Sequence, residues 1–177
     1  MKQDSQVHVC EFNYEVEASL KGVKNPAISR TLSIRYTATF EELHEALQIA
    51  FSWRPTTKYE FCMNRVLIGS ADRIAALGVQ EDEMARFDEF KDGSKTYIVE
   101  GMKHRYGDRR ILGYSCDTSS EIVHCLRIRA APCSRSMDGY LPDVSCIRGT
   151  GHPFAQGFDL EEWANLKNAY KKDRHTS

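Results

Sequence analysis

Residues 10–53 run CEFNYEVEASLKGVKNPAISRTLSIRYTATFEELHEALQIAFSW, and their pattern of apolar residues changes period part-way along. Its first part alternates. Cys10, Phe12, Tyr14, Val16, Ala18 and Leu20 share one face of an extended chain, and Glu11, Asn13, Glu15, Glu17, Ser19 and Lys21 share the other. That is the period-two pattern of a half-buried strand. Turn residues from Gly22 to Pro26 interrupt it, and a second alternating run follows with Ile28, Leu32, Ile34 and Tyr36 on its apolar side. Two such runs predict an antiparallel hairpin. At Thr39 the period changes. Thr39-Phe40-Glu41-Glu42 is a capping-box pattern, and Phe40, Leu43, Leu47 and Ala50 recur at helical spacing with Phe51 flanking. Pro55 disfavours helical geometry at Arg54, so the helix should close near Trp53.

Beyond this unit the signals are shorter. Tyr59 to Ile68 reads as strand followed by a turn, and Ala71 to Lys91 as a charged stretch with room for a short helix. Lys95 to Val99, Arg110 to Cys116 and Ile122 to Ile128 read as further short strands. From Ala130 to Phe158 the chain is dense in Gly, Pro, Ser and Cys, which predicts a long loop, ordered by Tyr140, Phe154 and Phe158. Asp159-Leu160-Glu161-Glu162 begins a second helix with Leu160, Trp163, Leu166 and Tyr170 as its apolar stripe. The expectation is one α+β domain over residues 1–177. It has a β-grasp-like mixed or antiparallel sheet, one main amphipathic helix, extra strands, a long Gly/Pro-rich loop and a C-terminal helix. Its ends should fray at about 1–6 and 172–177.

Composition narrows the function classes. The 177 residues are 41% hydrophobic and 28% charged, enough to build a core and stay soluble. Lys and Arg number 24 against 25 Asp and Glu, so there is no cationic surplus for nucleic acid. No run approaches the length needed to span a bilayer, and no apolar signal core follows Met1. A cytoplasmic or nucleus-accessible protein, not a secreted one, is expected. On that reading the six cysteines (Cys10, Cys62, Cys116, Cys125, Cys133 and Cys146) are reduced and mostly buried. The CxxC pairs of structural zinc and the Gly-Lys of a phosphate loop are absent, so no metal or cofactor is expected.

The opening unit carries a family resemblance. Arg30-Thr31 in the second strand, Leu43-His44 and Leu47-Gln48 in the helix, and Phe51 and Trp53 at its end match a pattern of Trp-Arg-Arg, then Leu-His-x-x-Ile-Gln, then Phe-Gly-Trp. Further on, Asp117 and His124 keep the separation found in a Tyr-Asp-Phe-Gly-Asp-x-Trp-Glu-His segment, with its middle replaced. Pro142, Cys146, Gly149, Gly151 and Pro153 resemble a Pro…Cys…Gly…Pro loop before the closing helix. An acidic Glu-Asp-x-Gly-Gly stretch is reduced here to Ala155-Gln156-Gly157. Together these resemble the plasmid pRiA4b ORF-three-like family. The resemblance implies a β-grasp-like α+β domain and no particular activity.

Several residues have the chemistry of a site. Arg30 lies on the apolar side of the second strand, where a guanidinium must be paired or must clamp an anion. Asp117 and His124 bracket a hairpin, and an Asp–His pair suits a general base. His152 in a Gly-rich turn is a candidate acid, and Trp53, Tyr114 and Tyr140 are candidate pocket walls. The expectation is a small cofactor-free enzyme of cyclase, isomerase or lyase type acting on a small-molecule substrate. Arg30, Trp53, Tyr114 and Tyr140 would bind, and Asp117, His124 and His152 would move protons. The alternatives are a non-catalytic protein-interaction module using the sheet edge, and a nucleic-acid accessory protein, which the charge balance disfavours.

Overall fold

The computed structural model describes residues 12–20, 28–53, 55–77, 81–102, 110–116, 124–132, 135–136, 139–140, 144–151 and 160–176. The elements are β1 (Phe12–Leu20), β2 (Ser29–Arg35), α1 (Phe40–Ala50), β3 (Tyr59–Met63), β4 (Val66–Gly69), α2 (Ala71–Leu77) and α3 (Glu81–Met84). They continue as β5 (Glu89–Asp92), α4 (Ile98–Met102), β6 (Arg110–Cys116), β7 (His124–Pro132), β8 (Arg135–Ser136), β9 (Gly139–Tyr140), β10 (Val144–Thr150) and α5 (Leu160–Thr176). Eight strands form one mixed sheet in the order β10-β2-β1-β7-β6-β3-β4-β5, with only β4 and β5 parallel. The protein is therefore an α+β fold. None of its described helices is long and apolar enough to cross a membrane.

β1 and β2 pair antiparallel, Tyr14 opposite Ile34 and Val16 opposite Leu32, as their alternation predicts. Tyr14, Val16, Ala18, Leu32 and Ile34 join Leu112, Tyr114, Leu126, Ile128, Tyr59 and Phe61 on one buried face. α1 lies on that face and adds Phe40, Leu43, Ala46, Leu47 and Ala50 to the same core. The opposite face of β1 and β7 carries Glu15, Glu17, Arg127 and Arg129.

Both ends of α1 are fully bonded. Thr39 and Glu42 form the capping box, while the next two amides, of Phe40 and Glu41, bond to the carbonyls of Thr96 and Gly93. At the other end the Ser52 amide bonds to the Ile49 carbonyl and the Trp53 amide to the Gln48 carbonyl. This is a Schellman motif, and it places Ser52 in the left-handed region (φ 55°), where glycine is normally favoured. The last open carbonyl, of Ala50, accepts from Arg30 Nε at 2.8 Å.

Arg30 is fully buried. Its Nη1 also donates to the carbonyls of Ser29 at 2.7 Å and Thr150 at 2.6 Å. Its guanidinium sits 5.0 Å above the Phe51 ring, which stacks flat on Trp53. One side chain thus joins β2, the end of α1 and β10. A Cβ at Gly149 would come within 3.1 Å of the Arg30 stem, so glycine lets β10 pack closely against it.

Three segments depart from the sequence reading. Val144–Thr150 is an edge strand paired with β2, not part of a loop; a register shift between Cys146 and Arg148 hides its alternation. Lys95 to Val99 is not a strand. Tyr97 makes a single bridge to Thr39 and Ile98 starts a helical turn, since this segment folds over the start of α1. α5 runs to Thr176, and Arg174 near its end pairs with Glu45 of α1. Tyr59 to Ile68 proves to be a hairpin turned by Asn64 and Arg65, both at positive φ.

Two stability changes follow. Ser52→Gly relieves the left-handed strain and should add roughly 0.5–1 kcal/mol in urea denaturation. Arg30→Lys keeps the charge but loses the fork, and should cost roughly 2–4 kcal/mol. A loss near zero for Arg30→Lys would show that the buried fork does not hold α1 in place.

Candidate functional site

Two concave regions lined by described residues flank the sheet. One, of about 460 Å³, opens between α1, α5 and the chain entering β3; it is lined by Glu41, His44, Glu45, Pro55, Thr56, Thr57, Tyr59, Tyr170 and Arg174. The other, of about 590 Å³, lies on the outer sheet face. Only the first brings aromatic, hydroxyl and charged groups together over the core.

α1 places Glu41, His44 and Glu45 on one side through its i, i+3, i+4 spacing. His44 is 2% exposed, and its Nε2 lies 2.7 Å from the Thr56 carbonyl. A carbonyl only accepts, so Nε2 carries the proton and Nδ1 accepts from the Tyr114 hydroxyl at 2.8 Å. The imidazole stacks on Tyr59, ring centroids 4.3 Å apart. Burial holds its pKa down at about 4, with the Thr56 bond acting the other way and Arg174 adding repulsion.

The neighbouring phenols are held protonated near neutrality. Burial pushes the Tyr59 phenol up, with Glu41 and Asp92 adding to it, and raises Tyr114 as well. Tyr170 is pushed up to about 12 by burial, and its hydroxyl donates to Gln48 Oε1. Away from the cleft, burial pushes the Cys62 and Cys146 thiols up to about 11. Two groups stand out. The Glu41 carboxylate makes no hydrogen bond or ion pair among the described residues, and the buried Tyr59 hydroxyl has no partner there either. No set of three or more His, Cys, Asp or Glu residues among the described ones is arranged to hold a metal ion.

The family model of the plasmid pRiA4b ORF-3-like protein matches residues 13–175. The chain belongs to that family. No curated protein sequence matches it. Among solved structures it is similar to a protein of unknown function from Methanosarcina mazei Go1. That likeness has TM-score 0.52 at 17% identity, covering 91% of this chain and 82% of that one. At such identity the likeness establishes the fold alone.

The pRiA4b ORF-3-like signature residues can now be placed. Arg30, Phe51 and Trp53 form the stacked junction at the end of α1, and Arg30 lines neither concave region. Its three donor contacts named above are to carbonyls. Tyr114 reaches the cleft only through His44. Asp117 and His152 lie outside the described residues. His124 opens β7 in register with Tyr114, and Tyr140 ends β9 opposite Arg135. The side chains of His124 and Tyr140 lie outside the description too. Among the described residues, Tyr114 is thus the one of this set that contacts a cleft-lining side chain, His44.

His44 is the residue that sequence reading left out of the site. Its signal is a histidine one position from Leu43 on the buried side of an amphipathic helix. Its depressed pKa makes a prediction. The unfolded chain takes up the proton near the ordinary value of 6.5 and the folded chain near 4. Stability should therefore fall as pH drops through that window and level off below it, by roughly 2–4 kcal/mol. Urea denaturation of His44→Gln should show this part of the pH dependence removed; an unchanged profile would contradict the assignment.

Proposed function

We propose that the protein is a small-molecule-binding module, and that the cleft between α1 and α5 receives the cationic group of an organic amine. The observation that carries this is the Glu41 carboxylate, without a partner among the described residues, at the mouth of a cleft floored by the His44–Tyr59 stack. Glu41 and Glu45 against Arg174 leave the lining with one negative charge in excess, which favours a cation. Arg174 is already paired with Glu45, so it is Glu41 that offers an ion pair to a ligand. Thr56 and Thr57 add hydroxyls along the same wall. A volume of about 460 Å³ suits a metabolite.

The proton inventory favours binding over turnover. A neutral His44 bonded at both nitrogens neither takes nor gives a proton near pH 7, and the phenols are held protonated. Acid–base chemistry of the expected kind would rest on Asp117, His124 and His152, whose side chains lie outside the described residues.

Thermal unfolding in the presence of 1,4-diaminobutane or of succinate tests the reading. The diamine should raise the midpoint in proportion to its concentration, succinate should not, and Glu41→Gln should abolish the effect. Stabilisation by succinate instead, or a diamine effect that survives Glu41→Gln, would overturn it.

A further inference from the structure

We infer that the outer face of the sheet is a docking surface for an extended polypeptide segment bearing carboxylates. This proposal is independent of the cleft, which lies on the opposite side of the sheet.

The register lays the face out in rows. Arg148 on β10 stands opposite Thr31 on β2, Thr31 opposite Glu17 on β1, and Glu17 opposite Arg127 on β7. In the next row Ser33 faces Glu15, and Glu15 faces Arg129. The short side chains Ser29 and Thr31 on β2 floor a trough of about 590 Å³. Arg148 and Thr150 form one wall, and Glu15 and Glu17, backed by the β7 arginines, form the other. Neighbouring strands are about 4.8 Å apart, so the trough above β2 is roughly one extended chain wide.

Charge then selects the occupant. Three guanidiniums face two carboxylates. Glu15 is shared: Arg129 pairs with it closely, while Arg148 reaches it only at 3.9 Å and is 69% exposed. Arg127 and Glu17 are likewise 3.9 Å apart and more than half exposed. Ion pairs this long and wet contribute little, so an incoming carboxylate displaces them at small cost. The uncompensated positive charge sits at Arg148, on the strand that closes the sheet order at that end. A polypeptide can set an acidic side chain against Arg148 and leave Glu15 and Glu17 facing small or basic ones. A nucleic-acid backbone, with a phosphate at every step, cannot avoid the two glutamates.

Fluorescence anisotropy of a labelled decapeptide of alternating Glu and Ser provides the test, with an alternating Lys-Ser decapeptide and a ten-nucleotide single-stranded DNA as comparators. The Glu-Ser peptide should bind at least tenfold more tightly than either comparator. Arg148→Glu and Arg127→Glu, both at exposed positions, should each weaken it tenfold or more while circular-dichroism melts stay unchanged. Tighter binding of the DNA, equal binding of the two peptides, or indifference to both charge reversals would overturn the proposal.

Discussion

A buried guanidinium sets the architecture. Arg30 has no access to water, and a charge in that position persists only if its donors are met. The chain meets them with carbonyl oxygens from β2, the end of α1 and β10. Helix carbonyl ends carry partial negative charge, so the cation is favoured there as well as bonded. The arrangement constrains three neighbours. Gly149 packs closely against the Arg30 stem, Phe51 presents its ring, and Ser52 adopts a left-handed conformation so that the chain turns away after α1. With α1 fixed at that end by Arg30 and at the other by the carbonyls of Gly93 and Thr96, its rotation over the sheet is determined.

That rotation has a chemical consequence. It puts two polar side chains, His44 and Gln48, on the buried side of an otherwise apolar helix. Each is answered by a phenol, Tyr114 from β6 and Tyr170 from α5. α5 is thus docked through a polar contact and an ion pair, which leaves a polar cleft beside it where a fully apolar seam would have closed. The same burial sets the protonation of its groups: desolvation keeps His44 neutral and the Tyr114 phenol protonated near neutrality.

Much of the first third of the chain was legible in the sequence. The β1–β2 pairing, the Thr39–Glu42 cap and the apolar stripe of α1 are local patterns, and local patterns survive in one dimension. Arg30 could also be seen to lie on the buried side of its strand. Its partners could not, because a backbone carbonyl has no residue-type signature. β10 was missed for a related reason. An edge strand with a bulge and a glycine chosen to fit Arg30 reads as loop composition. The Ile98-Val99 pair suggested a strand, yet Ile98 serves as a plug against α1, its amide bonded to Ala38. His44 was visible as part of a helix signature, but its role depends on a hydroxyl 70 residues away and on a carbonyl just past the helix.

Arg30 is a buried junction that ties β2, the end of α1 and β10 together. Hydrogen exchange of the arginine Nε–H groups, followed by NMR, tests it most directly. The Arg30 Nε–H, bonded to the Ala50 carbonyl, should exchange far more slowly than those of the exposed Arg127 and Arg148, and its resonance should stay in place when small anions are added. An Arg30 Nε–H that exchanges as fast as the exposed ones, or that shifts on adding anions, would contradict it.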